Sequence, residues 1–134
     1  MPNRAEHTRQ GSIAGCIVAC VANVVVQAER KRLNCDYRFN LAELAGTGFI
    51  GYGAGYVGGM MPDVLEPADH PGHRGVCHSA VAGALVLAGA KKLNDNPNVS
   101  AQVKTLVNTA AAGYLVHLWA DGQTPAGIPL ITRR

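Results

Sequence analysis

The sequence predicts an all-α protein, a compact bundle of about four helices in a single domain that covers residues 1–134. Long stretches of apolar and small residues alternate with short segments rich in Asn, Asp, Pro and Gly, as expected for helices joined by turns. Runs of β-branched residues, such as residues 24–26, are too few to indicate a sheet. A chain of 134 residues is also long enough to bury a core within one domain.

The first two helices are predicted over residues 11–32 and about 41–59, with an Asn- and Asp-rich loop between them. Apolar residues cover most of the circumference of the first helix, so it should be largely buried. In the second, Gly51, Gly55 and Gly59 recur every four residues. That spacing suits either a helix that another helix approaches closely or a Gly-rich loop.

The prolines and glycines between residues 62 and 77 predict an irregular loop between helices 2 and 3. Ser79 and Ser100 are the expected N-caps of a third helix, residues 80–93, and of a fourth that ends near residue 120. Residues 94–98 predict the turn between them, and residues 121–127 end the last helix.

The charge and the aromatic content of the chain limit the kinds of molecule that it is expected to bind. Charged residues make up only 16% of the chain, so part of the surface is expected to contact another subunit or a membrane. The net charge of +3 and the 5% of aromatic residues indicate no specific nucleic-acid partner. Residues 11–28 and 44–61 reach the short end of the length that spans a bilayer, whereas no cleavable signal peptide is visible. We expect a cytoplasmic protein, and these two stretches leave peripheral or integral association with a membrane open.

Four of the five histidines lie between residues 63 and 121, each close in sequence to a carboxylate or to another histidine. His117 and Asp121 are four residues apart, so on a helix they share one face. Asp63 and Glu66 begin the predicted loop, and His78 follows it. Neutral imidazole and ionised carboxylate are the usual ligands of catalytic zinc and related divalent ions. Any one of these residues could be a turn or core residue, but together they predict a metal site.

Three motifs in this region resemble a known family. They are the segments PDVLEP (residues 62–67), HRGVCHS (residues 73–79) and GYLVHLWADGQTPAGIPLI (residues 113–131). Together they are similar, over roughly residues 44–131, to a bacterial family of inner-membrane-associated metal-dependent hydrolases. The ligand pattern of that family is in turn distantly similar to that of the helical zinc-dependent phospholipase C and single-strand nuclease superfamily.

The resemblance implies a set of metal ligands formed by Asp63, His73, His78, His117 and Asp121, with His7 matching an N-terminal histidine. Glu66 would be a further ligand or, like Asp63, the catalytic general base. Arg74 would bind an anionic oxygen of the substrate, although a salt bridge from Arg74 to Glu66 or Asp69 explains this residue equally well.

The sequence therefore predicts a metal-dependent hydrolase that holds one or two divalent ions, with zinc the expected metal. The expected substrate is a small-molecule or lipid phosphoester, a phospholipid head group first and a nucleotide second. One alternative is a non-enzymatic binding or scaffold protein, a homo-oligomer whose metal site is structural. Another is a small membrane-embedded protein in which the histidine cluster is incidental.

Overall fold

The computed structural model describes residues 4–67, 75–124 and 127–131, and the described residues form an all-α bundle, as predicted. The helices are α1 (Arg4–Leu33), α2 (Leu41–Leu65), α3 (Ala80–Asn94) and α4 (Ala101–Gly122). A single 3₁₀ turn, Val76–His78, precedes α3. Ser79 and Ser100 cap α3 and α4 through their side chains, which confirms both predicted N-caps.

Two predicted boundaries were wrong. Helix α1 begins at Arg4 instead of residue 11, with Glu6 in the first turn, where a negative charge suits the helix dipole. Helix α2 does not end before Pro62 but continues through it to Leu65. A proline this close to the C-terminus removes one backbone hydrogen bond, and the N–H of Glu66 still closes the last turn on the carbonyl of Pro62 at 2.9 Å. The extra turns carry His7 and Asp63 into helices.

Successive helices run in opposite directions, so α1 and α3 point one way and α2 and α4 the other. At one end, His7 of α1 lies near Asp121 of α4. At the other, the ammonium of Lys104, near the start of α4, donates to the carbonyl of Asn94, the last residue of α3. The first of these ends, which we call the site end, therefore combines the start of α1 and α3 with the end of α2 and α4.

Helices α1, α2 and α4 pack through glycine, with their backbones almost in contact. A Cβ placed on Gly11 would lie 2.7 Å from the carbonyl oxygen of Gly55 and 3.0 Å from the Cα of Gly59. A Cβ on Gly113 of α4 would also meet the backbone of Gly55. The glycine spacing noted in the sequence is thus a helix–helix contact and not a loop, and only residues without a side chain fit there.

The interior of the bundle is small and polar. Ser12, Gln27 and Thr109 are fully buried, and each has a hydrogen bond within the bundle. The side-chain carbonyl of Gln27 accepts the backbone N–H of Asn40 at 2.6 Å, which ties the end of α1 to the start of α2. Large apolar side chains, in contrast, lie mostly outside.

The exposed apolar side chains run along several helices. They include Ile13, Ile17, Val21 and Val25 of α1, Phe49, Ile50 and Val57 of α2, and Leu85 and Leu87 of α3. Contiguous apolar surface of this kind marks a contact with a membrane or a protein, and interfaces built from small residues are typical of helices that associate in lipid. Residues 5–33 are also long and apolar enough to cross a membrane, judged by length and composition.

Candidate metal centre

His117 is the middle of a buried cluster at the site end. Its Nδ1 lies 2.7 Å from the carbonyl oxygen of Gly59. Because a carbonyl can only accept, Nδ1 carries the proton, and in the neutral ring Nε2 is left with a lone pair. That Nε2 lies 3.4 Å from Oδ2 of Asp121 and 3.7 Å from Oδ1 of Asp63. It is buried and has no hydrogen-bond partner among the described residues.

His7 reaches the cluster from α1. Its Nε2 lies 3.8 Å from Oδ1 of Asp121, and its ring stacks on that of His117 with the centroids 4.3 Å apart. The sequence had placed His7 before the first helix. Its position is instead fixed by α1, which packs against α2 and α4 and so brings the two rings into stacking contact.

His78 reaches the cluster from the end of the 3₁₀ turn. Its Nε2 lies 3.3 Å from Oδ1 of Asp63 and 3.8 Å from Oδ2 of Asp121, and the residue is only 1% exposed. Ser79, next in the chain, donates to the carbonyl of Val76 at 2.6 Å and caps α3. The cap fixes the backbone beside His78 and so directs its imidazole into the bundle.

Glu66 lies behind His78 and not beside the other carboxylates. Its Oε2 is 3.2 Å from Nδ1 of His78 and accepts the backbone N–H of Gly75 at 3.1 Å. Burial by itself would raise the pKa of Glu66, but hydrogen bonds from the Cys77 backbone and from His78 outweigh it, so the pKa is lowered. Glu66 is therefore an ionised acceptor that orients the imidazole of His78.

The pKa of His78 moves the other way. Burial alone would lower it, but the hydrogen bonds to Asp63 and Glu66, together with the negative charge of Asp121, outweigh burial and raise the pKa above its ordinary value. The surroundings of His78 therefore favour positive charge, whether it comes from a proton or from a bound cation.

Five of the sequence-predicted ligands lie together: His7, Asp63, His78, His117 and Asp121. Their ligand atoms form two groups of three, each with all atoms within 4.8 Å of one another. One group joins His7 and Asp121 to His117, and the other joins Asp63 and His78 to His117. His73 and Arg74 lie outside the described residues. Glu66 contacts the group through His78.

The donor set fits a divalent metal ion. Three imidazoles and two carboxylates, without a thiolate, are the ligands of hydrolytic zinc and related ions. The buried lone pair on Nε2 of His117 supports this fit. So do the partners of the Nδ1 atoms, because Nδ1 of His117 bonds the Gly59 carbonyl and Nδ1 of His78 bonds the Glu66 carboxylate. Proteins usually fix the tautomer of a metal-binding histidine in this way.

Two supporting groups had no clear signal in the sequence. Tyr114 of α4 is buried, and its hydroxyl donates to the carbonyl of Cys77, which holds the 3₁₀ turn against α4. The carbonyl of Gly59 orients His117. Backbone carbonyls carry no mark in a sequence, and a tyrosine three residues before a histidine looks like any other residue of a helix.

Fold and site together define a helical protein with a largely apolar exterior and a buried histidine–carboxylate centre. Residues 13–132 match the model of a family described as YdjM inner membrane protein, and the chain belongs to that family. No curated protein and no solved structure matches the chain.

Family membership confirms the inner-membrane part of the resemblance noted in the sequence and supports association with the inner membrane. The cytoplasmic location has no such support and stays a prediction. The hydrolase activity and the distant similarity to the phospholipase C and nuclease superfamily likewise stay predictions.

Proposed function

We propose that the protein is a metal-dependent hydrolase of phosphoesters that works at the inner membrane. The observation that carries the proposal is the cluster around Nε2 of His117, where two histidines and two carboxylates from separate parts of the chain surround a buried lone pair. A divalent ion bound there, zinc being the first candidate, would supply Lewis acidity toward a phosphoryl oxygen and toward water.

Access to the cluster is from the side of Asp63. Its side chain is 16% exposed, whereas those of His7 and Asp121 are 6% and 4% exposed and those of His78 and His117 only 1%. A phosphoester and a water molecule would therefore arrive beside Asp63.

This exposure separates the roles of the two acidic residues. Asp63 is the better placed proton acceptor because it combines ligand distance with access to solvent. Glu66 keeps the imidazole of His78 in position. The other four members of the cluster hold the cation and keep water away from its buried side. They are His7, His78, His117 and Asp121.

Metal content and turnover test the proposal together. The protein purified in mild detergent is analysed by elemental mass spectrometry and assayed with phosphomonoesters and phosphodiesters in the presence of Zn²⁺, Mn²⁺ or Mg²⁺. We expect bound metal and hydrolysis in the wild type and the loss of both in Asp121→Asn. Asp95→Asn is a matched control, because Asp95 is exposed at the opposite end of the bundle. Hydrolysis that survives in Asp121→Asn would refute the assignment.

The alternative is an oligomeric scaffold with a structural metal ion. The large exposed apolar surface supports it, since another copy of the chain could cover that surface as well as lipid could. Full metal occupancy without turnover of any phosphoester would favour the scaffold. A metal-free protein would reject both functions.

A further inference from the structure

The site end carries a group of exposed apolar side chains, which we call the apolar collar. It consists of Val64, Leu65, Val76, Trp119, Leu130 and Ile131. Large apolar side chains around a charged centre are unfavourable in water, and a hydrolase of soluble phosphoesters has no need of them.

The collar is built directly onto the metal centre. Val64 and Leu65 follow Asp63 on the last turn of α2. Trp119 lies at the height of His117 and Asp121 on α4, on the outer face of that helix. Leu130 and Ile131 belong to residues 127–131, which follow α4, and backbone hydrogen bonds hold this segment at the site end. The N–H groups of Ala80 and Val81 donate to the carbonyls of Pro129 at 3.0 Å and Leu130 at 3.2 Å.

The residue types in the collar favour lipid as the molecule that contacts it. Trp119 is the only tryptophan of the chain and is 62% exposed, and tryptophan is enriched where a membrane protein meets the interface between lipid and water. The collar also continues the apolar exterior of α1 and α2. In a member of an inner-membrane family, that exterior faces acyl chains.

We propose that the metal centre lies at the level of the lipid head groups and takes the phosphate of a membrane lipid, whose acyl chains pack against the apolar collar. The phosphate enters beside Asp63, the exposed member of the cluster, and the chains then lie along Val64 and Leu65. This inference deepens the proposed function, on which it rests for the nature of the centre, by naming a lipid as its ligand.

The depth of Trp119 tests the first half of the proposal without any turnover. The full chain is reconstituted into vesicles, free of any other protein, whose phospholipids carry bromine at one of several depths along the acyl chain, and the tryptophan fluorescence is measured. We expect the strongest quenching from bromine nearest the head group. Strongest quenching from bromine at the bilayer centre would overturn the proposal, as would quenching by aqueous iodide with none by any brominated lipid.

The second half is tested by binding of a ligand that cannot be hydrolysed. The zinc-loaded protein is titrated with a dihexanoyl lipid phosphonate and with the water-soluble head group of the same compound. We expect the acylated ligand to bind at least tenfold more tightly. In Leu65→Ser most of this difference in affinity should be lost, because burying one leucine side chain against the acyl chains tightens binding about tenfold.

Leu41→Ser is the matched control, because Leu41 is an exposed leucine at the other end of the same helix and should leave both affinities unchanged. Equal affinity of the wild type for the two ligands would overturn the lipid assignment. Neither experiment requires catalysis, so a protein that binds the lipid phosphonate but hydrolyses no phosphoester would refute the proposed function and leave this inference standing.

Discussion

Replacing Gly55 with alanine tests how the bundle positions its metal centre. A Cβ at Gly55 would lie 2.8 Å from the Cα of Gly15 and would also meet the carbonyl oxygen of Gly11. Carbon atoms in ordinary contact are about 3.5–4.0 Å apart, so α1 and α2 would have to separate by about 1 Å. Overpacking of this size costs about 1–3 kcal/mol of the free energy of unfolding.

The same substitution also raises helix propensity, by about 1 kcal/mol. Gly53→Ala isolates the packing term, because it has the same gain in propensity on the same helix while a Cβ at Gly53 meets no described atom within 4 Å. The free energy of unfolding of Gly55→Ala should therefore lie about 1–3 kcal/mol below that of Gly53→Ala. Circular dichroism of the detergent-solubilised variants during unfolding measures this difference.

A second readout follows from the position of His7. It lies one helical turn from Gly11, so a displaced α1 carries His7 away from Asp121, which it now approaches to 3.8 Å. We expect Gly55→Ala to bind zinc more weakly than Gly53→Ala. Equal stability and equal zinc affinity of the two variants would refute the close approach of α1 to α2.

Three further predictions concern the centre itself. His78→Ala and Asp121→Asn should each bind less metal than the wild type by elemental mass spectrometry, because each loses a ligand; full stoichiometry in either variant would contradict its assignment. Glu66→Gln should retain the metal with an affinity lowered about 10–100-fold, measured against a chromophoric chelator. An unchanged affinity would mean that Glu66 does not orient His78. Tyr114→Phe loses the hydrogen bond to the Cys77 carbonyl, so the free energy of unfolding of the metal-free protein should fall by about 1 kcal/mol. Wild-type stability would show that this bond contributes nothing.

Local signals made much of the bundle predictable. Ser79 and Ser100 precede apolar helical stretches, and both act as N-caps in the structure. The four-residue spacing of His117 and Asp121 correctly placed both on one helix face, with their nearest ligand atoms 3.4 Å apart. Such features depend only on residues within one turn of each other, which is why a single sequence reveals them.

Features that depend on packing were harder to predict. Pro62 was expected to end α2, but the helix continues and carries Asp63 toward His117, because one missing hydrogen bond near a helix end is outweighed by the packing of the last turn. The polar N-terminus hid the first turns of α1 and hence the role of His7. The orientation of His117 by the carbonyl of Gly59 depends on a contact between two helices that residue types do not reveal.

The close packing of α1 against α2 through glycine also sets the geometry of the metal centre. A Cβ at Gly59 would lie 3.3 Å from both the Cα of Gly11 and the carbonyl oxygen of His7, so a larger residue there would push α1 outward. The same Gly59 supplies the carbonyl that fixes the tautomer of His117. In a lipid environment, where apolar burial does not drive helices together, close backbone packing has to hold the helices at this distance. The small residues of α1 and α2 thus set the separation of His7 from Asp121, and with it the size of any cation that the centre can hold.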